Sequence, residues 1–118
     1  MQLFVEIGFE AAHCLPHVDP DHKCARVHGH SYRVRIDVEG PVGAESGWVM
    51  DFADLKAAVE PVRLELDHRY LNDLDGLDNP TAERIAEWLW ARLAPSVPLL
   101  SAVEVRETPN AGCTYRGA

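Results

Sequence analysis

Residues 2–9 alternate between apolar and mixed positions. Leu3, Val5, Ile7 and Phe9 share one face, and Phe4 and Glu6 the other. Period two of this kind marks a strand with one buried face. The same face continues through Ala11 to His13. The stretch Cys14–Lys23 holds two prolines and several turn formers, and reads as loop. A second strand is expected from about Val27 to Val38, where Tyr32, Val34, Ile36 and Val38 alternate with Arg33, Arg35 and Asp37. After the turn-rich run Gly40–Gly47 the period changes. Leu55, Ala58, Val59, Val62 and Leu66 recur at helical spacing behind Asp51, a capping residue, with Asp54 in the first turn. Pro61 should kink that helix or cost it a hydrogen bond. Asn79-Pro80 signals a second helix. Its stripe is Ala82, Ile85, Ala86, Leu89 and Leu93, with Trp88 and Trp90 off the centre, facing a sheet or another subunit. Leu99 to Thr108 is the last long strand, and Gly112–Gly117 supplies a short terminal one.

Strand, strand, helix, helix, strand, strand implies an α+β fold, an antiparallel four-stranded sheet with both helices on one face. A sheet of that size leaves an edge or face to cover, so an oligomer is expected. The length, 118 residues, suits one domain spanning 1–118. A net charge of −8 argues against general binding to nucleic acid or an anionic membrane. No apolar run has the length of a membrane span, and the N-terminus lacks the order of a signal peptide. Three cysteines without regular spacing make no disulfide framework. A cytoplasmic protein with reduced thiols is expected, with Cys14 and Cys113 structural.

The chemistry-bearing residues cluster around Cys24-Ala-Arg-Val-His-Gly-His-Ser-Tyr32. On a strand, His28 and His30 project from one face and can share a metal. Zinc suits such nitrogen donors. His13, ending the first strand's apolar face, is the candidate third ligand, and a site built from Cys24 and two histidines remains open. Asp67-His68 follows the first helix. Glu107 prolongs the apolar face Leu99, Ser101, Val103, Val105, where a carboxylate is costly unless paired; it suits a ligand with two parallel N–H groups.

Phe9-Glu-Ala-Ala-His13, Cys24-x-x-x-His28-Gly-His30-Ser-Tyr32, Asp67-His68 and Glu107-Thr108 resemble, in order, the motifs of 6-pyruvoyl-tetrahydropterin synthase homologues. Trp48-Val-Met-Asp-Phe52, Asn79-Pro-Thr81 and Ala111-Gly-Cys113 are most similar to the bacterial 6-carboxy-5,6,7,8-tetrahydropterin synthase branch. The resemblance implies the tunnelling fold, a ββααββ unit whose sheets join into an oligomeric barrel, by expectation a homohexamer built as a dimer of trimers. It implies zinc on His13, His28 and His30, and Cys24, Asp67 and His68 as catalytic residues. It also implies substrate binding at Glu107 and Thr108. Lys23 and Arg26 are the expected cations for a triphosphate, by nearness in sequence. The implied reaction converts 7,8-dihydroneopterin triphosphate to 6-carboxy-5,6,7,8-tetrahydropterin with release of acetaldehyde and triphosphate, in the biosynthesis of queuosine or another 7-deazapurine. The rival readings are 6-pyruvoyl-tetrahydropterin synthase itself and a non-catalytic zinc-stabilised interaction module.

Overall fold

A computed structural model describes all residues, Met1–Ala118. Two long strands, β1 (Gln2–His13) and β2 (His28–Glu39), form its spine. They pair antiparallel without a break from Gln2↔Glu39 to His13↔His28. Helix α1 (Phe52–Leu66) follows, then the two-residue strand β3 (Arg69–Tyr70), helix α2 (Ala82–Leu93), and strands β4 (Leu100–Thr108) and β5 (Ala111–Tyr115). The sheet order is β3-β1-β2-β4-β5. The expected α+β class holds, but the sheet has five strands, because Arg69 and Tyr70 pair parallel with Ala11 and Ala12. A segment of two residues is too short to show a hydrophobic period, so no pattern in the sequence announces it.

The apolar face reads as the alternation predicts. Val5, Phe9, Tyr32, Val34, Ile36, Val103 and Val105 form one core with Leu55, Val59, Leu66, Ile85 and Leu89 of the helices. Burying such side chains stabilises by roughly 1.5–3 kcal/mol each. Asp51 caps α1, accepting from the Ala53 N–H at 2.9 Å. The helix runs through Pro61 without interruption. Proline lacks the N–H that would donate to Ala57, and both residues are exposed, so water takes that carbonyl. Helix α2 begins two residues later than Asn79-Pro80 suggests. Thr81 is the cap, its hydroxyl accepting from the Arg84 N–H at 3.2 Å, which leaves the Pro80 carbonyl outside the helix. Trp90 meets the edge of the Tyr115 ring on β5, and the Trp88 indole N–H donates to the Asp75 carbonyl.

Two stretches of sheet edge stay unpaired: β1 over Gln2–Gly8 on the side away from β2, and β5. With extents of 58 × 23 × 22 Å, the chain is elongated. Its radius of gyration of 15.4 Å exceeds the value near ~13.5 Å expected for a compact chain of this length.

Candidate functional site

Register builds a cluster of three imidazoles. His13 lies directly opposite His28 across β1 and β2, and His30 stands two residues further along the same face, opposite Ala11. Cross-strand neighbours on one face approach within about 5 Å. One ligand atom from each ring falls within 4.8 Å of the others. The three rings meet at steep angles, with centroids 4.5 to 5.0 Å apart.

For two of the rings, hydrogen-bond partners fix which nitrogen is free. His13 Nδ1 is 2.8 Å from the Pro80 carbonyl, and His28 Nδ1 is 2.7 Å from the Arg26 carbonyl. Carbonyls only accept, so both rings carry the proton on Nδ1 and present a bare Nε2. The Nε2 atoms of His13 and His30 are buried without a hydrogen-bond partner. Burial is the main influence pulling the His13 pKa below its ordinary value, against the Pro80 bond and Glu107, which raise it. The ring is therefore neutral at pH 7, the form in which imidazole ligates a metal. Orphaned, convergent nitrogens oriented by carbonyls fit a divalent, nitrogen-preferring ion. Cys24 is not among the convergent donors.

Two supports escaped the sequence reading. Tyr32 lies beneath the cluster, stacked on Phe9 with centroids 4.8 Å apart, its hydroxyl 3.2 Å from His13 Nδ1. It is two residues from His30 on the same face, so its position was readable though its role was not. Asn72 brackets Cys14, accepting from its N–H at 3.0 Å and donating to its carbonyl at 2.8 Å. That bracket prolongs the β1–β3 pairing past Ala12 and holds the backbone beside His13. The Cys14 thiol meets the Tyr70 hydroxyl at 3.1 Å, in keeping with a structural role.

Glu107 reaches the cluster from β4. Its carboxylate oxygens lie 4.0 Å from His13 Nε2 and 3.9 Å from His30 Nε2, too far for hydrogen bonds. It also borders a cleft of about 250 Å³ lined by Ala82, Glu83 and Cys113. Thr108 follows at the exposed end of β4.

Asp67 and His68 form a second cluster at the end of α1. The Asp67 N–H caps the helix by donating to the Arg63 carbonyl at 2.9 Å. One carboxylate oxygen accepts from the Glu10 N–H at 2.9 Å, and the other is 2.9 Å from His68 Nδ1. These two bonds, the Glu10 one foremost, hold the Asp67 carboxyl below its usual pKa. His68 has φ 58°, in the left-handed region, a turn held by its own N–H donating to the Glu10 carbonyl at 2.6 Å. A cavity of about 580 Å³ is lined by His68 with Glu10, Gly29, Ser31 and Arg69, and of the three clustered imidazoles only His30 borders it.

Cys24 sits half-buried in a single helical turn, Lys23–Ala25. Its N–H donates to His22 Nδ1 at 3.0 Å and its carbonyl accepts from the Leu15 N–H at 2.8 Å. Lys23 and Arg26 are exposed on the same turn, and neither is among the residues lining the 580 Å³ cavity.

A family model described as 6-pyruvoyl tetrahydropterin synthase matches residues 2–118. The chain is 48% identical to the 6-carboxy-5,6,7,8-tetrahydropterin synthase of Synechocystis sp. over 119 residues, 96% of this chain and 91% of that one. It is 37% identical to the dihydroneopterin monophosphate aldolase of Pyrococcus furiosus, over 82% of this chain and 78% of that one. Among solved structures, the 6-pyruvoyl tetrahydropterin synthase of Caenorhabditis elegans superposes with a TM-score of 0.92 at 29% identity, covering 100% of this chain and 96% of that one.

Proposed function

We propose that this chain, which belongs to the 6-pyruvoyl tetrahydropterin synthase family and is a pterin-processing lyase, converts 7,8-dihydroneopterin triphosphate to 6-carboxy-5,6,7,8-tetrahydropterin. One water is consumed, acetaldehyde and triphosphate are released, and the product enters 7-deazapurine biosynthesis. The observation that carries this reading is the convergence of His13, His28 and His30, two of them with orphaned Nε2 atoms, beside Glu107. The identity of 48% with a synthase of that name supports the particular reaction.

His13, His28 and His30 would hold zinc, three protein ligands leaving a position open as catalytic sites require. Bound there, the ion would acidify substrate hydroxyls and adjacent C–H groups and stabilise enolate-like charge. The chain's own residues then have separate tasks. Glu107 takes the N–H edge of the pterin ring through its two oxygens. His68, oriented by Asp67, gives and takes protons through Nε2, because Nδ1 is committed to the carboxylate. Cys24 is the second acid/base group, its thiol left free because the turn occupies only its backbone N–H and carbonyl. Thr108, Lys23 and Arg26 remain candidate substrate contacts, the last two for the triphosphate. Assembly into a homohexamer is supported by the unpaired edges of β1 and β5. Sedimentation of a stable, active monomer would sink it.

The deciding assay incubates zinc-loaded protein with dihydroneopterin triphosphate and measures acetaldehyde. One acetaldehyde per 6-carboxytetrahydropterin is expected. A product that keeps its side-chain carbons would favour 6-pyruvoyl-tetrahydropterin synthase activity, and absence of turnover would favour a zinc-stabilised interaction module. Because one relative is named for a dihydroneopterin monophosphate, the monophosphate belongs in the same assay, and turnover there should be the slower.

A further inference from the structure

The corner that carries His68 contains a cation to which the chemistry above gives no task. Arg63 stands four residues before Asp67 on α1, with its Nη1 3.6 Å from Asp67 Oδ2, the same oxygen that faces His68 Nδ1 at 2.9 Å. We propose that Arg63 is a positioning residue for the Asp67–His68 pair: by sharing that oxygen it fixes the carboxylate and weakens its hold on a proton at His68. The inference rests on the reading of His68 as an acid/base group.

The guanidinium is held in place. Its Nε and Nη2 donate to both oxygens of Glu60 at 2.9 and 2.8 Å, and its Nη1 points at the Gly8 carbonyl at 3.5 Å. The side chain is three-quarters buried. An arginine so engaged loses little further freedom in facing Asp67, unlike a surface lysine. Asp67 is held equally well, since its Oδ1 is occupied by the Glu10 N–H. Oδ2 is therefore the oxygen left to both cationic partners.

The sign of the effect follows from the charges around His68. On its own segment stand Asp67 and Arg69. Arg63 and Glu60 face the corner from α1. From β1 comes Glu10, whose carboxylate is turned to the Ser31 hydroxyl at 2.7 and 2.9 Å. His30 of β2 lines the same cavity. Asp67 and the negative end of α1 both favour an imidazolium. Arg63 opposes them twice, by direct repulsion and by drawing on Oδ2. Without it, the carboxylate and the helix end act on His68 unopposed. A mere helix-surface pair at this spacing would add a few tenths of a kcal/mol to stability and leave His68 untouched.

The test titrates the zinc-loaded protein by NMR with labelled histidine, the His68 signal identified by its loss in His68→Asn. In Arg63→Gln the His68 midpoint should rise by about half a pH unit, the effect of a unit charge at roughly 6 Å in water-like surroundings. The acid limb of the kcat profile should move the same way, and Arg63→Lys should restore most of both. An unmoved or lowered midpoint in Arg63→Gln, with or without a drop in melting temperature, overturns the proposal. So does a Lys variant as shifted as the Gln one. Full turnover in His68→Asn would remove His68 from the chemistry instead, and the titration would still judge Arg63 by itself.

Discussion

His13 is 1% exposed and closes a hairpin whose pairing is unbroken from the far end of the sheet. His68 has 78% of its side chain exposed and a left-handed backbone, and it hangs from the end of a helix by its own N–H on the Glu10 carbonyl and by its neighbour Asp67, which accepts from the Glu10 N–H. The first cluster is made by register: change no backbone angle, and three rings must meet. The second is made by a turn that an ordinary residue resists by roughly 1 kcal/mol. A metal site gains from rigidity, since donors fixed in advance lose no freedom on binding. A group that passes protons gains from a position open to solvent and substrate, with its basicity set by a partner. Both clusters are tied to β1, at His13 and Glu10, three residues apart, so the two kinds of order share one strand.

Removing His28 should do the most damage, because it breaks the cluster at the ring directly opposite His13. His28→Ala should reduce zinc from about one per chain to near none, measured by elemental analysis, and turnover to background. Cys24→Ala should keep its zinc and lose turnover. Zinc lost from Cys24→Ala and kept in His13→Ala would instead give the site to Cys24 and two histidines. Next in size is His68→Asn. It should leave zinc content unchanged and lower kcat by about 10²- to 10⁴-fold, the range for a general acid or base. A fall in zinc content in that variant would mean the two clusters are not separable.

Glu107 lies between the two in character, half-buried and beside the imidazoles without bonding them. Glu107→Gln keeps its shape but sets a donor against the pterin N–H edge. The dissociation constant for a pterin, read by calorimetry, should rise about a hundredfold, equivalent to about 2.7 kcal/mol. Zinc content at saturating metal should hold. Normal pterin affinity in Glu107→Gln would take the ring away from this residue.

How much of each region the sequence disclosed follows from the same contrast. His13, His28 and His30 were legible because period two carries a face along a strand, and Leu3 to His13 is one face. The pairing of Asp67 with His68 was legible as neighbours, but not the turn, which depends on Glu10 offering both N–H and carbonyl. Pro80 and Arg26 orient two histidines with backbone carbonyls, and no side-chain pattern records a carbonyl. The offset start of α2 is the same fact seen from the helix, since the Pro80 carbonyl is spent on His13. Strand β3 was invisible for its brevity. Nearness in sequence to Cys24 is all that marks Lys23 and Arg26, and the turn leaves both in solvent.

The smallest expected effect belongs to the corner alone and shows itself in acid. Asp67 has its folded-state pKa lowered by the Glu10 N–H, then by His68, with Arg63 a lesser contributor. A depressed carboxyl contributes stability that is fully present above its unfolded-state pKa, near ~4, and lost as pH falls through the folded value. The histidine cluster at the sheet end is the same in native protein and variant, so whatever it contributes cancels between them. The urea midpoint of the native chain should therefore fall more steeply below about pH 4 than that of Asp67→Asn, which still accepts the Glu10 bond but has no charge to lose. Glu60, lowered chiefly by its Arg63 bond, titrates in the same window, so the variant should keep part of the slope and Glu60→Gln remove another part. Equal slopes in native and Asp67→Asn would mean that the carboxylate seen between Glu10, His68 and Arg63 holds nothing that the unfolded chain lacks.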